Sequence, residues 1–77
     1  MAALNTKRYL ASFGDRVRLL RKERGLSQEQ LAALCELDRS YVGGVERGER
    51  NVSLVNILRV CRALRVHPAD LFDGWEK

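Results

Sequence analysis

The sequence predicts an all-α fold. Three observations carry that reading. Apolar residues recur at three- and four-residue spacing through several segments, and no alternating β-branched run appears. Only one proline and six glycines occur, with Gly25 and Gly48 placed where helical patterns end. Hydrophobic content is 45% and aromatic content 6%, which suits a small core of aliphatic helices. With 77 residues the chain is expected to be one domain, 1–77, close to the minimum for a core without disulfide or metal staples.

Met1 to Thr6 carries no pattern and is expected to be a flexible arm, followed by the positive charges of Lys7 and Arg8. Tyr9, Leu10, Phe13, Val17 and Leu20 then define a first helix from about Thr6 to Arg24. Gly25 ends it at the position where a left-handed residue costs least. Arg16, Arg18, Lys22 and Arg24 fall on its wet faces, and solvation is the expectation for most of them. Arg21 lies one turn from Val17, near the inward stripe, and needs an acidic partner. Glu46 is the best candidate. Such a pair would lock the first helix against the third, although its net effect on stability can be near zero.

The stretch Ser27–Gly48 reads as two short helices with a joint at Cys35 to Asp38. Ser27 can cap the first of them, with Gln28 and Glu29 in its positive-potential first turn. Leu31, Ala32, Leu34 and Cys35 recur at helical spacing. A joint this short wants a positive φ, and the position falls on Glu36, where a non-glycine costs on the order of 1 kcal/mol. Asp38 is the next cap candidate. From Arg39 the pattern restarts: Val42 and Val45 face inward, and Arg39, Ser40, Gly43, Gly44 and Arg47 lie on the other side. Gly43 and Gly44 each cost about 1 kcal/mol relative to alanine in a helix interior. That makes sense if something must approach the helix backbone closely; the alternative is a packed helix that tolerates them. A steeply crossed helix pair whose second member presents polar side chains is how a protein reaches base edges in a major groove.

Gly48 closes the third helix, and Glu49 to Val52 form a polar loop. Ser53 caps a fourth helix running to about Leu64. Its apolar positions, Leu54, Val55, Ile57, Leu58, Val60, Cys61 and Leu64, make a stripe wider than one core-facing side requires. Pro68 fits the first position of a short fifth helix, Ala69 to about Phe72, with His67 before it. Residues 73–77 form a tail. Leu71, Phe72 and Trp75 either fold over the core or join Val55 and Leu58 in a second apolar patch, which on so small a protein suggests a homodimer.

Net charge is +4, and 11 of the 14 cations are arginine. Arginine binds phosphate and guanine bidentately, so the bias favours nucleic acid as partner. The plain alternative is a solvated basic surface. Cys35 and Cys61 sit at apolar helical positions with no CxxC, and the single histidine cannot complete a usual zinc site with two distant thiols. Neither metal nor cofactor is expected, and free buried thiols point to a reducing cytoplasm. No apolar run reaches the length of a membrane span. His67 has no constellation that would mark a triad, and no phosphate loop is present, so an enzyme is not expected.

The residues GLSQEQLA at 25–32, LDRSYVGGVERGERN at 37–51 and SLVNILRVCRALRV at 53–66 resemble the Xre-type helix-turn-helix family of phage repressors and Cro-like proteins. Within it, DRSY followed by GVERGERN looks like the controller proteins of bacterial restriction–modification systems. The likeness covers roughly 13–72. It implies a compact five-helix, lambda-repressor-like domain with its helix-turn-helix at helices two and three. It further implies a symmetric homodimer through the C-terminal helices, with Val55, Leu58, Phe72 and Trp75 as interface candidates.

The same resemblance implies that Arg39 and Ser40 read base edges, that Tyr41 touches a base or phosphate nearby, and that readout at Gly43 is reduced to shape. Gln28, Arg47, Arg50 and Asn51 would hold phosphates, and Arg21–Glu46 would be the family's structural ion pair. Double-stranded DNA is the implied partner, with RNA polymerase as a second. Two positions depart from the pattern: Glu36 stands where a glycine is usual, and Val52 where many members carry proline. The rival readings are an antitoxin, which usually adds a toxin-wrapping extension, and a helix-turn-helix used only for protein contact, which would be expected to lose the arginine-rich face.

Overall fold

The computed structural model describes residues 3–75. Among them the chain forms five helices, α1 (Thr6–Glu23), α2 (Gln28–Cys35), α3 (Arg39–Glu46), α4 (Leu54–Leu64) and α5 (Pro68–Leu71). Thr6 is already helical, so the expected arm is shorter by that residue. Met1 and Ala2 of the arm, and Glu76 and Lys77 of the tail, lie outside the described residues.

Each boundary has a local cause. Asn5 accepts the Arg8 amide on its side-chain oxygen at 3.2 Å and starts α1. Gly25, at φ +68°, follows its end. Ser27 and Gln30 exchange bonds of 3.0 and 2.7 Å, a reciprocal box that satisfies two amides at the start of α2. The joint does take its left-handed residue at Glu36, φ 58°, and the Leu37 amide then bonds the Ala32 carbonyl at 2.9 Å. Asp38 occupies the cap position of α3 but makes no side-chain cap. Asp38 is exposed to solvent, and the cap expected there is not made. Ser53 accepts the Asn56 amide at 3.2 Å and opens α4. Arg65, at φ 57°, closes it as a second left-handed non-glycine residue, one the sequence pattern does not signal. Pro68 begins α5, and Asp70 accepts the His67 amide at 2.9 Å.

The core draws on every helix: Phe13, Val17 and Leu20; Leu31, Ala32 and Cys35; Val42 and Val45; Val60, Cys61 and Leu64; and Leu71. Each fully buried aliphatic side chain contributes about 1.5–3 kcal/mol of transfer free energy. The α1–α3 crossing is close. A Cβ on Gly14 would sit 2.4 Å from the Val45 carbonyl oxygen, so only glycine lets the two backbones meet there. Helix α3 therefore lies pressed on α1 along one side, and the opposite side is left outermost.

Three of the four α1 cations expected to be solvated have protein partners. Arg16 donates from Nε and Nη2 to the Asp70 carbonyl at 3.0 and 2.6 Å, and Arg24 donates to the Leu64 carbonyl. Carbonyls in a helix's last turn lack intrahelical partners, and an arginine fork satisfies them. Arg18 turns toward Glu46. Lys22 alone of the four stays exposed without such a contact.

Candidate nucleic-acid interface

The inner side of α3 is fixed first. Val42 and Val45 enter the core, and Glu46, 2% exposed, is approached from three directions. Arg21 donates from Nε to one carboxylate oxygen at 2.6 Å and from Nη2 to the other at 2.9 Å. Gln28 donates from Nε2 at 3.0 Å, and the Arg18 guanidinium stands 3.5 Å away. Burial pushes the Glu46 carboxyl up, but the bonds from Arg21 and Gln28 and the charges of Arg21 and Arg18 outweigh it, and its pKa is lowered. The bond to Glu46 in turn raises that of Arg21, against the opposing pull of its burial. An ionised carboxylate thus joins α1, α2 and α3 at one point.

With that side held, the first turn of α3 presents Arg39 and Ser40 to solvent. Tyr41 is half-buried, and its hydroxyl accepts from the Asn56 side-chain amide of α4 at 3.2 Å. The Arg50 guanidinium lies over the Tyr41 ring, 5.4 Å from its centroid. Arg47 is exposed and donates from Nε to Glu49 at 3.0 Å. Asn51 is exposed in the following loop. Gln28 sits at the start of α2 beside this surface, one of its amide hydrogens committed to Glu46.

Gly43 and Gly44 differ from the sequence expectation. Both are buried beneath polar side chains: Arg47 and Gln28 lie over Gly43, and Arg50 over Gly44. In the free protein the Gly43 backbone thus lies beneath the Arg47 and Gln28 side chains. The close approach expected at these glycines is made by the protein's own cations.

Of the interface candidates, Val55, Leu58 and Phe72 stand 60%, 47% and 39% exposed, and Leu54, next to Val55, 71%. Trp75 is not part of that open patch. It stacks on Tyr9 with ring centroids 5.1 Å apart and meets Phe72 edge-on at 5.1 Å, so the tail folds back onto α1. Both thiols are free and buried, and burial pushes their pKa values up. Among the described residues no group of histidine, cysteine and carboxylate side chains could hold a metal, and no helix is long and apolar enough to cross a membrane.

A helix-turn-helix family model matches residues 17–71. The control protein C.BamHI of Bacillus amyloliquefaciens is 50% identical over 62 residues, 79% of this chain and 76% of its own length. The control protein C.MunI of Mycoplasma sp is 46% identical over 66 residues, 84% of this chain and 89% of its own. The crystal structure of the restriction–modification controller protein C.AhdI from Aeromonas hydrophila superposes with a TM-score of 0.83 at 63% identity, covering 84% of this chain and 98% of that one. The chain belongs to the helix-turn-helix family of restriction–modification controller proteins. It is a transcription regulator whose described residues form only helices, with α2 and α3 as its helix-turn-helix.

Two residues of this controller's surface escape a reading of pattern alone. Asn56 holds the Tyr41 hydroxyl, and its signal was available as one polar residue within the apolar stripe of α4. Glu49 neutralises Arg47 from a loop that otherwise reads as basic. An acid two residues from a candidate phosphate-binding arginine is the corresponding hint.

Proposed function

We propose that this controller protein binds duplex DNA sequence-specifically as a homodimer on a two-fold-symmetric operator. The observation that carries the reading is the contrast across α3: one side is bolted down through Glu46, Val42 and Val45, and the other ends in exposed Arg39 and Ser40. A helix fixed on one side and polar on the other is what a major groove accepts. Arg39 and Ser40 read base edges and Tyr41 a neighbouring base or phosphate. Arg47, Arg50 and Asn51 hold the backbone, together with Gln28 across the groove.

Two copies of α3, about 34 Å apart, would enter successive grooves on one face of the duplex. The exposed apolar residues of α4 and α5, Leu54, Val55, Leu58 and Phe72, support pairing of two copies. The DNA undergoes no chemistry. An operator overlapping a promoter blocks RNA polymerase, and one just upstream places the dimer where it can touch the polymerase. The setting is the cytoplasm, where two free buried thiols stay reduced.

Selection of duplexes from a randomised pool tests this directly. The wild-type protein should recover an inverted repeat. Arg39→Ala should lose preference at one position in each half, a discrimination of about 1–3 kcal/mol. A wild-type pool without symmetry, or identical preferences for both proteins, would refute the assignment.

A further inference from the structure

Gly43 and Gly44 cost helix stability, and the proposed function above gives them no task. The side chains lying on them do. Beyond α3 the chain reverses at Gly48, and the Glu49 amide bonds the Gly44 carbonyl at 2.9 Å. That reversal carries Arg50 back across the helix it has just left. A Cβ on Gly44 would stand 3.1 Å from Arg50 Cγ and 3.2 Å from its Nε, tighter than most side-chain contacts, so the arginine stem would have to give way. One residue earlier, a Cβ on Gly43 would stand 3.1 Å from Arg47 Nη1 and 3.4 Å from Gln28 Oε1.

We infer that Gly43 and Gly44 are positioning residues for DNA binding: by carrying no side chain they form seats in which Arg47 and Arg50 lie flat against α3. The inference rests on the DNA-binding reading. Arg50 is the better held of the two. Its stem lies along Gly44, its guanidinium stands over the Tyr41 ring, and Asn56 fixes the Tyr41 hydroxyl. An arginine held at stem and head gives up less conformational freedom when it meets a phosphate or a base. A methyl group at position 44 pushes the stem outward by a few tenths of an ångström and shifts the head from its place over the ring.

The two possible roles of these glycines predict different combinations of stability and binding. Alanine is the better helix former, so Gly44→Ala should melt at the same or a higher temperature. A glycine that is merely tolerated would then leave DNA affinity unchanged. A seat predicts that affinity falls, by roughly tenfold, the scale of one lost polar contact to DNA.

The experiment uses the full chain and a duplex recovered by the wild-type protein from a randomised pool. Gly44→Ala is measured alone and on an Arg50→Ala background, with thermal melts beside each. Without DNA, the Arg50 Nε–H resonance reports the ring directly and should move when Gly44 is replaced. The expected result is a loss of affinity in the single variant, less than twofold further loss on the Arg50→Ala background, and a shifted resonance. Wild-type affinity in Gly44→Ala would overturn the seat and leave the DNA-binding reading standing, as would an equal loss in both backgrounds. A wild-type protein that recovers no duplex would overturn both. Should Gly44→Ala fail to fold, Gly43→Ala paired with Arg47→Ala applies the same criterion.

Discussion

Arg21 and Glu46 meet as a two-pronged pair, Nε to Oε2 at 2.6 Å and Nη2 to Oε1 at 2.9 Å, and join the last turn of α1 to the last turn of α3. The carboxylate is buried and its pKa lies below the ordinary carboxylate value of 4.5. The unfolded chain returns it to that value, so the ionised pair favours the folded state at any pH above about 4.5. That contribution is lost as pH falls through the lower, folded-state value.

Glu46→Gln removes the titrating group and leaves Arg21 buried with one amide oxygen. At neutral pH it should cost about 3 kcal/mol, the scale for breaking one side of a buried pair. Denaturant unfolding of both proteins between neutral and acid pH checks this. The two stabilities should converge on acidification, because the wild type loses what the variant already lacks. A constant gap across the range would place the role of Glu46 in packing instead of charge.

The joint between α2 and α3 yields a stabilising variant. Glu36 holds φ 58°, which costs a non-glycine residue about 1–2 kcal/mol. Glycine removes that strain but returns about 0.5–1 kcal/mol to the unfolded chain as entropy. Glu36→Gly should therefore stabilise the protein by about 0.5–1 kcal/mol, read as a higher denaturant midpoint at unchanged slope. DNA affinity should be the same, since Glu36 lies away from the α3 surface. A drop in stability would mean that the Glu36 side chain makes a contribution exceeding the strain.

These two sites show what the sequence can and cannot disclose. The Glu36 conformation was legible because a joint as short as Cys35 to Asp38 between two helical patterns wants a positive φ. The need of Arg21 for an acid was legible from helical spacing, since a cation near an inward stripe must be compensated. Arg65 was not, because its left-handed conformation has no glycine to mark it. Nor were the partners of Arg16 and Arg24, which are backbone carbonyls exposed by helix ends, and carbonyls carry no residue-type signal. The glycine pair of α3 was visible as an anomaly. What rests on it came from Arg47 and Arg50, four and six positions later, the second after a chain reversal whose course spacing alone cannot trace.

The Arg47–Glu49 contact predicts a gain of function. Glu49 lies 3.0 Å from Arg47 and is itself held below the ordinary carboxylate range, first by that hydrogen bond. A phosphate must compete with this carboxylate for the guanidinium. Glu49→Gln removes the competitor and a like charge facing the DNA. Affinity for duplex should rise several-fold, and the plot of log affinity against log salt should steepen by roughly one counterion. A titration at several salt concentrations measures both, and unchanged affinity and slope would show that Arg47 does not face phosphate.

The outer face of α4 tests the dimer. Leu54, Val55 and Leu58 stand 71%, 60% and 47% exposed within one and a half turns, with Phe72 beside α5 at 39%. Side chains this open contribute little to the fold of one copy, so a charge there should leave the monomer intact. In the proposed dimer the same face is buried, where an unpaired carboxylate costs several kcal/mol. Leu58→Asp should melt within a few degrees of the wild type yet sediment as a monomer at concentrations where the wild type is a dimer. Its loss of DNA affinity should be large, because two linked reading heads gain about 10²–10⁴-fold over one. On a duplex carrying a single half-site the two proteins should bind alike, since that duplex engages only one head. Equal sedimentation of wild type and variant would move the dimer contact elsewhere on the surface, and Phe72→Asp would then be the next position to test.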